Sequence, residues 1–135
     1  WDSYIKRFRS NTLKENECLG IKEIQNLVIK NAIIWANEIN LGNNKKANKQ
    51  NSQINKIILK IKKDKVFSRN VLVPLLQNSE PSVRLFASVH SLDQGFEVQK
   101  ALQILEDLTI DYSTQGISIM AYINLKKWKS ENKST

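Results

Sequence analysis

Few side chains in this chain of 135 residues could do acid–base or metal chemistry, and His90 is the only histidine. The spacing of His90 from Val83 and Phe86 is that of one helical face. The chain has no HxxxH, HxxE or CxxC spacing, and a metal site needs three or four ligands. We therefore expect His90 to be a core or interface residue with one hydrogen bond, rather than a catalytic base or a metal ligand.

The adjacent carboxylates Glu106 and Asp107, followed by Asp111, are the next candidates for chemistry. A general acid–base pair needs two carboxyl groups in one cleft, with one of them in a dry site that shifts its pKa. Neighbouring residues on an amphipathic helix point in different directions and cannot share a cleft in this way. The cluster is therefore expected on the solvated face of a helix.

The single cysteine, Cys18, excludes an internal disulfide framework and a zinc site built from cysteines. It suits a reducing compartment, and we expect a cytoplasmic location. The chain also has neither a glycine-rich phosphate loop nor a Gly-x-Ser-x-Gly element. These residues predict a protein that is not an enzyme and that uses no cofactor and no metal.

The basic residues form the clearest pattern. Within residues 44–65, five lysines recur at spacings of three, four or seven and so share one face of a helix, which we call the lysine ridge: Lys45, Lys49, Lys56, Lys60 and Lys63. Two interpretations of the lysine ridge remain open. It is either the solvated face of a surface helix or a surface that faces an anionic partner.

The net charge of +8 is unevenly distributed along the chain. Residues 1–70 contain 15 Lys and Arg against 6 Asp and Glu, whereas residues 71–135 contain 6 against 7. A basic first half predicts an acidic or polyanionic partner. The chain is also rich in Lys, Asn and Ile together, which an AT-rich genome produces without selection for binding, so genome composition is the competing explanation.

Apolar periodicity predicts an all-α fold, because no segment alternates with a period of two between turns. We expect an N-terminal extension over residues 1–20 (a short helix and a loop), a helical domain over 21–129 and a disordered tail over 130–135. The helices of the domain are predicted at residues 21–41, 44–65, 70–77, 81–92, 96–109 and 116–129. No apolar run approaches the roughly 18 residues that a membrane span needs.

Local signals refine these helices. Gly42 and Gly95 are expected to end the helices that precede them, Pro81 to occupy a first helical position, and Pro74 to lie near the first turn of its helix. The first domain helix is predicted to have one apolar stripe at Ile24, Val28, Ala32, Trp35 and Ile39 and a second beside it at Ile29, Ile33 and Ala36. The apolar stripe of the second domain helix is predicted at Ala47, Ile54, Ile57, Ile58 and Ile61. The stripes of the last two are predicted at Val98, Ala101, Leu102, Leu105 and Leu108, and at Ile117, Met120, Ala121, Leu125 and Trp128.

Residues 70–92 and 96–129 indicate two helix–turn–helix units, each too thin to bury its own apolar face, so the units must stack. The shared interior is expected to contain Leu76, Val83, Phe86, Ala87, Leu102, Leu105, Ala121 and Leu125. Pro81, the pair Val83-Arg84 and Ala87 resemble the second helix of a HEAT repeat. The resemblance implies an α-α superhelix of five to six helices in two to three pairs. It also implies structural roles for Ala87 and for Arg84, and Arg84 would bond a neighbouring carboxylate or loop carbonyls. Phe86 is expected to be structural because of its place in the shared interior.

Residues 21–129 also resemble the bacterial domain-of-unknown-function family 2019, through Lys45-Lys-Ala-Asn48 and the element from Leu75-Leu76 to Arg84. The chain departs from that pattern at Phe86, where a small residue is usual, at His90 and in the extra segment 1–20. Several members of this family look like immunity proteins encoded beside toxins. The resemblance implies an immunity factor that binds and neutralises a cognate toxin, as in contact-dependent growth inhibition or similar polymorphic toxin systems.

A partner protein is expected to contact the lysine ridge and several aromatic or arginine residues: Trp1, Tyr4, Arg7, Tyr112 and Trp128. A second possible surface is the acidic patch, which we define as Asp93, Glu97, Glu106, Asp107 and Asp111. The alternative partner is nucleic acid, with phosphates bound by the Lys45–Lys63 face, although that face lacks interleaved aromatic residues and arginines. A structural adaptor in a larger assembly is the third hypothesis.

Overall fold

The computed structural model of the protein describes residues 13–111 and 115–132. In these two ranges the chain forms helices and no strand, so the fold is all-α as predicted. The helices are α1 (Leu13–Asn40), α2 (Asn44–Ile61), α3 (Lys65–Leu75), α4 (Pro81–Gln94), α5 (Val98–Thr109) and α6 (Gln115–Glu131). None of these six is both long and apolar enough to cross a membrane.

Helix α1 is longer than the sequence pattern indicates. It begins at Leu13 and includes residues 13–19, which we expected in a loop. Lysine and glutamate are good helix formers, so this polar segment continues the helix without an apolar stripe of its own. Residues 1–12, the rest of the predicted extension, lie outside the described part of the chain.

Gly42 ends α1, as predicted. Its φ of 78° is in the left-handed region, where a residue without a Cβ has no steric penalty. The N–H of Asn43 donates to the carbonyl of Glu38 at 2.8 Å, and the N–H of Gly42 donates to the carbonyl of Ile39 at 3.1 Å. These are the two hydrogen bonds of a Schellman motif, and they direct the chain into α2.

The predicted apolar stripes of α1 and α2 form the packed faces of these helices. The main stripe of α1 is buried at Ile24, Val28, Ala32 and Trp35 and partly buried at Ile39. The second stripe of α1 is partly buried at Ile29, Ile33 and Ala36. The buried residues of α2 are the five predicted ones, Ala47, Ile54, Ile57, Ile58 and Ile61.

Helix α3 differs from the prediction for residues 70–77. It spans Lys65–Leu75 and begins five residues early, because Asp64 caps it by accepting a hydrogen bond from the N–H of Phe67 at 3.2 Å. The prediction that Pro74 lies near the first turn was therefore wrong. Pro74 is the last residue but one of the helix.

A side chain of α1 replaces the hydrogen bond that Pro74 removes from α3. Proline has no N–H, so the carbonyl of Asn70 lacks its usual partner four residues along the helix. Nε2 of Gln25 donates to this carbonyl at 3.3 Å and to the carbonyl of Val71 at 3.1 Å. The backbone polar group is thereby satisfied, and the same bonds tie α1 to α3.

Helix α4 begins at Pro81 and is ended by Gly95, as predicted, although it continues to Gln94, two residues beyond its predicted range. Pro81 is at its first position, where a missing N–H costs no hydrogen bond. Gly95, with a φ of 81°, follows its last residue. The N–H of Phe96 donates to the carbonyl of Ser91 at 2.8 Å and that of Gly95 to the carbonyl of Leu92 at 3.2 Å, which forms a second Schellman motif.

Helices α5 and α6 complete the interior with the predicted apolar faces. The buried apolar residues are Ala101, Leu105 and Leu108 in α5 and Ile117, Ala121 and Leu125 in α6. Val98, Leu102, Met120 and Trp128 are partly buried beside them. Helix α6 continues to Glu131, two residues beyond its predicted end, and residues 133–135 lie outside the described part.

Consecutive helices pack as three pairs, α1/α2, α3/α4 and α5/α6, which is consistent with an all-α helical-repeat fold. The long helix α1 also packs against α3, α4 and α6, so the three pairs share one core. The ring of Trp35 in α1 meets the ring of Phe86 in α4 edge-on, with centroids 5.2 Å apart. Phe86 and Ala87 are 7% and 0% exposed, which confirms their predicted place in the core.

The Gln25–Pro74 relationship predicts a coupled effect on stability. The substitution Gln25→Leu should lower the free energy of unfolding by about 1–2 kcal/mol, because two backbone carbonyls lose a donor. In a Pro74→Ala background the cost should be markedly smaller, since alanine restores the N–H that bonds to Asn70. Urea unfolding of the four proteins gives the coupling energy. An equal cost in both backgrounds would contradict compensation by Gln25.

A close contact between α6 and α1 predicts that the effect of Gly116→Ala on stability changes sign when Ile39 is replaced. A Cβ added to Gly116 would overlap Cγ2 of Ile39, so Gly116→Ala should destabilise the protein by about 1–3 kcal/mol. In an Ile39→Ala background the overlap is gone, and the same substitution should stabilise α6 by about 0.5–1 kcal/mol through its helix propensity. Thermal unfolding checks both signs, and destabilisation in both backgrounds would refute steric exclusion at this contact.

Candidate macromolecule-binding surface

The net charge of the chain is concentrated on α2 and the turn that follows it. Residues 44–65 contain eight lysines and one aspartate, which accounts for +7 of the net +8. The other described residues contain nine basic and eleven acidic side chains. A compositional bias of the genome would spread lysines over the whole chain, so it does not account for this concentration.

The lysine ridge lies on the side of α2 that faces away from the core. At 100° per residue, its members fall within about 60° of one another around the helix axis, opposite the buried isoleucines. Lys45, Lys49, Lys56 and Lys63 are exposed, and Lys60 is partly buried. Lys63 stands just beyond the last residue of the helix. The spacing in the sequence thus correctly predicts one continuous basic face.

No acidic side chain of α2 offsets the lysine ridge, because residues 44–61 contain none. Lys45 and Lys49 are four residues apart, as are Lys56 and Lys60, and like charges at this spacing repel each other. The first turn of α2 also has no side-chain cap and no acidic residue that would stabilise the positive end of the helix dipole. The apolar face holds α2 in the fold, and an anionic partner would relieve the repulsion along it.

An exposed apolar side chain accompanies the lysine ridge. Leu59 is 64% exposed and stands three residues after Lys56 and four before Lys63. At this spacing the three side chains lie on neighbouring parts of one surface. Exposed leucines are common, but one placed between lysines combines an apolar contact with a charged surround, as protein interfaces do.

Ion pairs neutralise most of the acidic patch. Three of its five carboxylates are paired: Asp93 with Lys62 and Glu97 with Arg69, each at 3.1 Å, and Glu106 with Lys129 at 3.7 Å. Glu106 and Asp107 are exposed on α5, as expected for a solvated face. The acidic patch is therefore not a concentrated negative surface, and it is a weaker candidate for partner binding than the lysine ridge.

Arg84 binds the loop before its own helix. Its Nη1 donates to the carbonyl of Asn78 at 2.8 Å and to the carbonyl of Ser79 at 3.0 Å. Loop carbonyls are one of the two kinds of partner that the HEAT resemblance implies for this arginine. The guanidinium group fixes the entry into α4 and lies apart from the lysine ridge in the sequence and in its contacts.

His90 lies in the wall of the core and not in a metal or catalytic cluster. Its ring stacks on Phe86, with the centroids 6.5 Å apart and the planes 14° from parallel. No hydrogen bond to the imidazole is present among the described residues, so the single bond that we expected is absent there. Burial lowers the pKa of His90 from 6.5 to about 4, Asp93 raises it and Lys62 lowers it further. No group of three or more His, Cys, Asp or Glu residues in the described ranges is arranged to hold a metal ion.

Several predicted contact residues are outside the described part of the chain. These are Trp1, Tyr4, Arg7 and Tyr112. Cys18 belongs to α1, and its side chain is likewise outside the described part. Trp128 is partly buried in a groove between α4 and α6, so it differs from the exposed anchor that we expected.

Sequence reasoning missed an apolar stripe on the outer face of α6. Ile119, Tyr122 and Ile123 are 51%, 56% and 50% exposed, and Nζ of Lys126 lies 6.0 Å from the centroid of the Tyr122 ring. Their spacing of three and four residues is itself the signal of a helical face. It was missed because α6 has a second apolar face at the same spacing, and that face is the buried one.

The shifted pKa of His90 predicts a pH-dependent loss of stability. The unfolded chain takes up a proton near pH 6.5 and the folded chain only near pH 4, so the free energy of unfolding should fall as the pH falls between these values. The total loss from this group is on the order of 3 kcal/mol. Carboxylates titrate in both proteins, so the difference between wild type and His90→Gln isolates the histidine. Urea unfolding from pH 8 to pH 4 measures it, and parallel curves would contradict burial of a neutral imidazole.

Comparisons with known proteins leave the function to be inferred from this geometry. No protein-family model matches the chain. No curated protein and no solved structure matches it either.

Proposed function

We propose that this protein is a non-enzymatic protein-binding module whose α2 surface binds the acidic face of another protein. The observation that carries the proposal is the exposed lysine ridge within a segment of charge +7, on a chain whose other described residues are slightly acidic. Lysines on a rigid helix attract an acidic partner over long distances and orient its approach. The repulsion between like charges such as Lys45 and Lys49, in a helix without acidic residues of its own, adds to the gain on binding.

The composition of the α2 surface favours a protein partner over nucleic acid. Residues 44–65 contain no arginine and no aromatic residue. Arginine is the usual residue for reading base edges, and aromatic side chains stack on unpaired bases. Leu59, exposed between Lys56 and Lys63, offers instead an apolar contact that a phosphate backbone would not use.

We infer further that the partner is a toxin and that the protein is its cytoplasmic bacterial immunity factor. This step is supported by the resemblance of residues 21–129 to a family with immunity-like members, and by an all-α fold in which the lysine ridge lies on a packed helix. Toxins that act on nucleic acid are usually basic, so a basic inhibitor suits a toxin with an acidic surface. The neutralisation would be by tight one-to-one binding, as in contact-dependent growth inhibition.

Charge reversal on the lysine ridge tests the binding surface. The variant Lys45→Glu/Lys49→Glu/Lys56→Glu reverses three exposed charges. The matched control is Lys22→Glu/Lys30→Glu/Lys100→Glu, three exposed lysines outside α2 that give the same net charge of +2. Each is co-expressed with the products of the adjoining genes and assayed by size-exclusion chromatography and by protection of growth.

Wild type and the control should form a one-to-one complex with one neighbouring gene product and protect growth. The ridge variant should bind it about tenfold or more weakly, chiefly through slower association. An equal loss of affinity in both variants would show that the net charge of the protein, and not the α2 surface, controls binding. The proposal fails if no neighbouring product binds, or if the wild type instead binds generic DNA or RNA with an affinity that falls steeply with salt.

A further inference from the structure

A groove of about 100 Å³ opens between α4 and α6. Its apolar lining comes from Val89, Leu92 and Trp128. Its polar lining comes from Asp93, Asn124, Lys127 and Glu131. The lining of the groove therefore combines an indole side chain with side chains that carry carboxylate and amide oxygen atoms. That combination suits a ligand with a flat apolar body and hydrogen-bond donors.

The oxygen atoms of the groove have free capacity to accept hydrogen bonds. Asp93 uses Oδ2 for its ion pair with Lys62 at 3.1 Å. Asn124 uses Nδ2 as a donor to the carbonyl of Met120 at 2.8 Å, which leaves its Oδ1 as an acceptor. Glu131 has neither a hydrogen bond nor an ion pair among the described residues. Three acceptor groups therefore line a site that contains one donor cation, Lys127.

The groove is close to neutral on a chain of charge +8. Its lining contains two carboxylates and one ammonium group, and Lys62 beside it pairs with Asp93 at 3.1 Å. Lys127 precedes Glu131 by four residues on α6, and neither forms an ion pair among the described residues. Glu131 is therefore the carboxylate of the groove that remains for an incoming cation.

We propose that this groove binds an arginine side chain of the protein partner. A guanidinium group is planar, stacks on an indole ring and presents several N–H donors in one plane, so it matches Trp128 with Asp93, Asn124 and Glu131. A lysine ammonium group would use fewer of these acceptors and would stack less well. The groove then serves as a pocket for one anchoring residue, as is common at the centre of protein interfaces.

The groove lies next to the end of α2, because Asp93 lines the groove and pairs with Lys62, the residue that follows α2. One partner can therefore lay an acidic surface along α2 and insert an arginine between α4 and α6. This assignment of the partner rests on the proposed function. The affinity of the groove for arginine does not, and it can be tested without the partner.

The test uses capped tripeptides, Arg₃, Lys₃ and Glu₃, and follows the indole N–H resonance of Trp128 by NMR in the full chain. Arg₃ should shift this resonance in a saturable way at millimolar concentrations, Lys₃ more weakly and Glu₃ not at all. Glu131→Lys should weaken the binding of Arg₃ about tenfold or more. Glu23→Lys, at an exposed position on α1, is the matched control and should bind like wild type.

The inference is overturned if Arg₃ leaves the Trp128 resonance unmoved, if Glu131→Lys and Glu23→Lys bind alike, or if Glu₃ competes for the groove. The triple variant of the lysine ridge separates this outcome from that of the proposed function. It should keep its affinity for Arg₃ even if the neighbouring gene products fail to bind. If Glu131→Lys loses affinity for Arg₃ and the ridge variant keeps it, the groove and not the lysine ridge is the binding site for Arg₃.

Discussion

The packing of α1 across the other helices is the constraint on which the rest of the structure depends. Trp35 meets Phe86 edge-on at 5.2 Å, and α1 packs against helices from all three pairs. A helix pair alone cannot bury both of its faces, so α1 supplies the missing surface for α3, α4 and α6. Because α1 packs against α2, which carries the lysine ridge, and against α4 and α6, which form the groove, this one helix helps to position both surfaces.

Much of this arrangement could be predicted from local sequence patterns, and the failures have physical causes. The isoleucine spacing of α2 predicts its buried face because only one of its faces is apolar. Helix α6 has two such faces, and the prediction found the buried face with Ile117 but missed the exposed face with Ile119. The place of Pro74 was also mispredicted. The donor that permits it, Gln25, lies 45 residues before Asn70 and reaches the carbonyl of Asn70 only in the folded protein.

The candidate site likewise has one part that local sequence patterns predict and one part that depends on contacts between distant residues. The lysine ridge depends on spacing within one helix, so the sequence was sufficient to find it. The pairing of Asp93 with Lys62 joins residues 31 positions apart, and it both weakens the acidic patch and brings the groove next to α2. No local pattern contains that information. The molecule therefore combines a basic helix that has no acidic residue of its own with a small, acceptor-rich groove next to the end of that helix.

The substitution Phe86→Ala tests most directly whether the contact between α1 and α4 holds the fold together. Its unfolding in urea should be followed by far-ultraviolet circular dichroism and by tryptophan fluorescence. We predict a loss of about 3–5 kcal/mol in the free energy of unfolding, with both signals changing in a single transition. A loss below about 1 kcal/mol, or a helical signal that persists after Trp35 is exposed, would contradict the account.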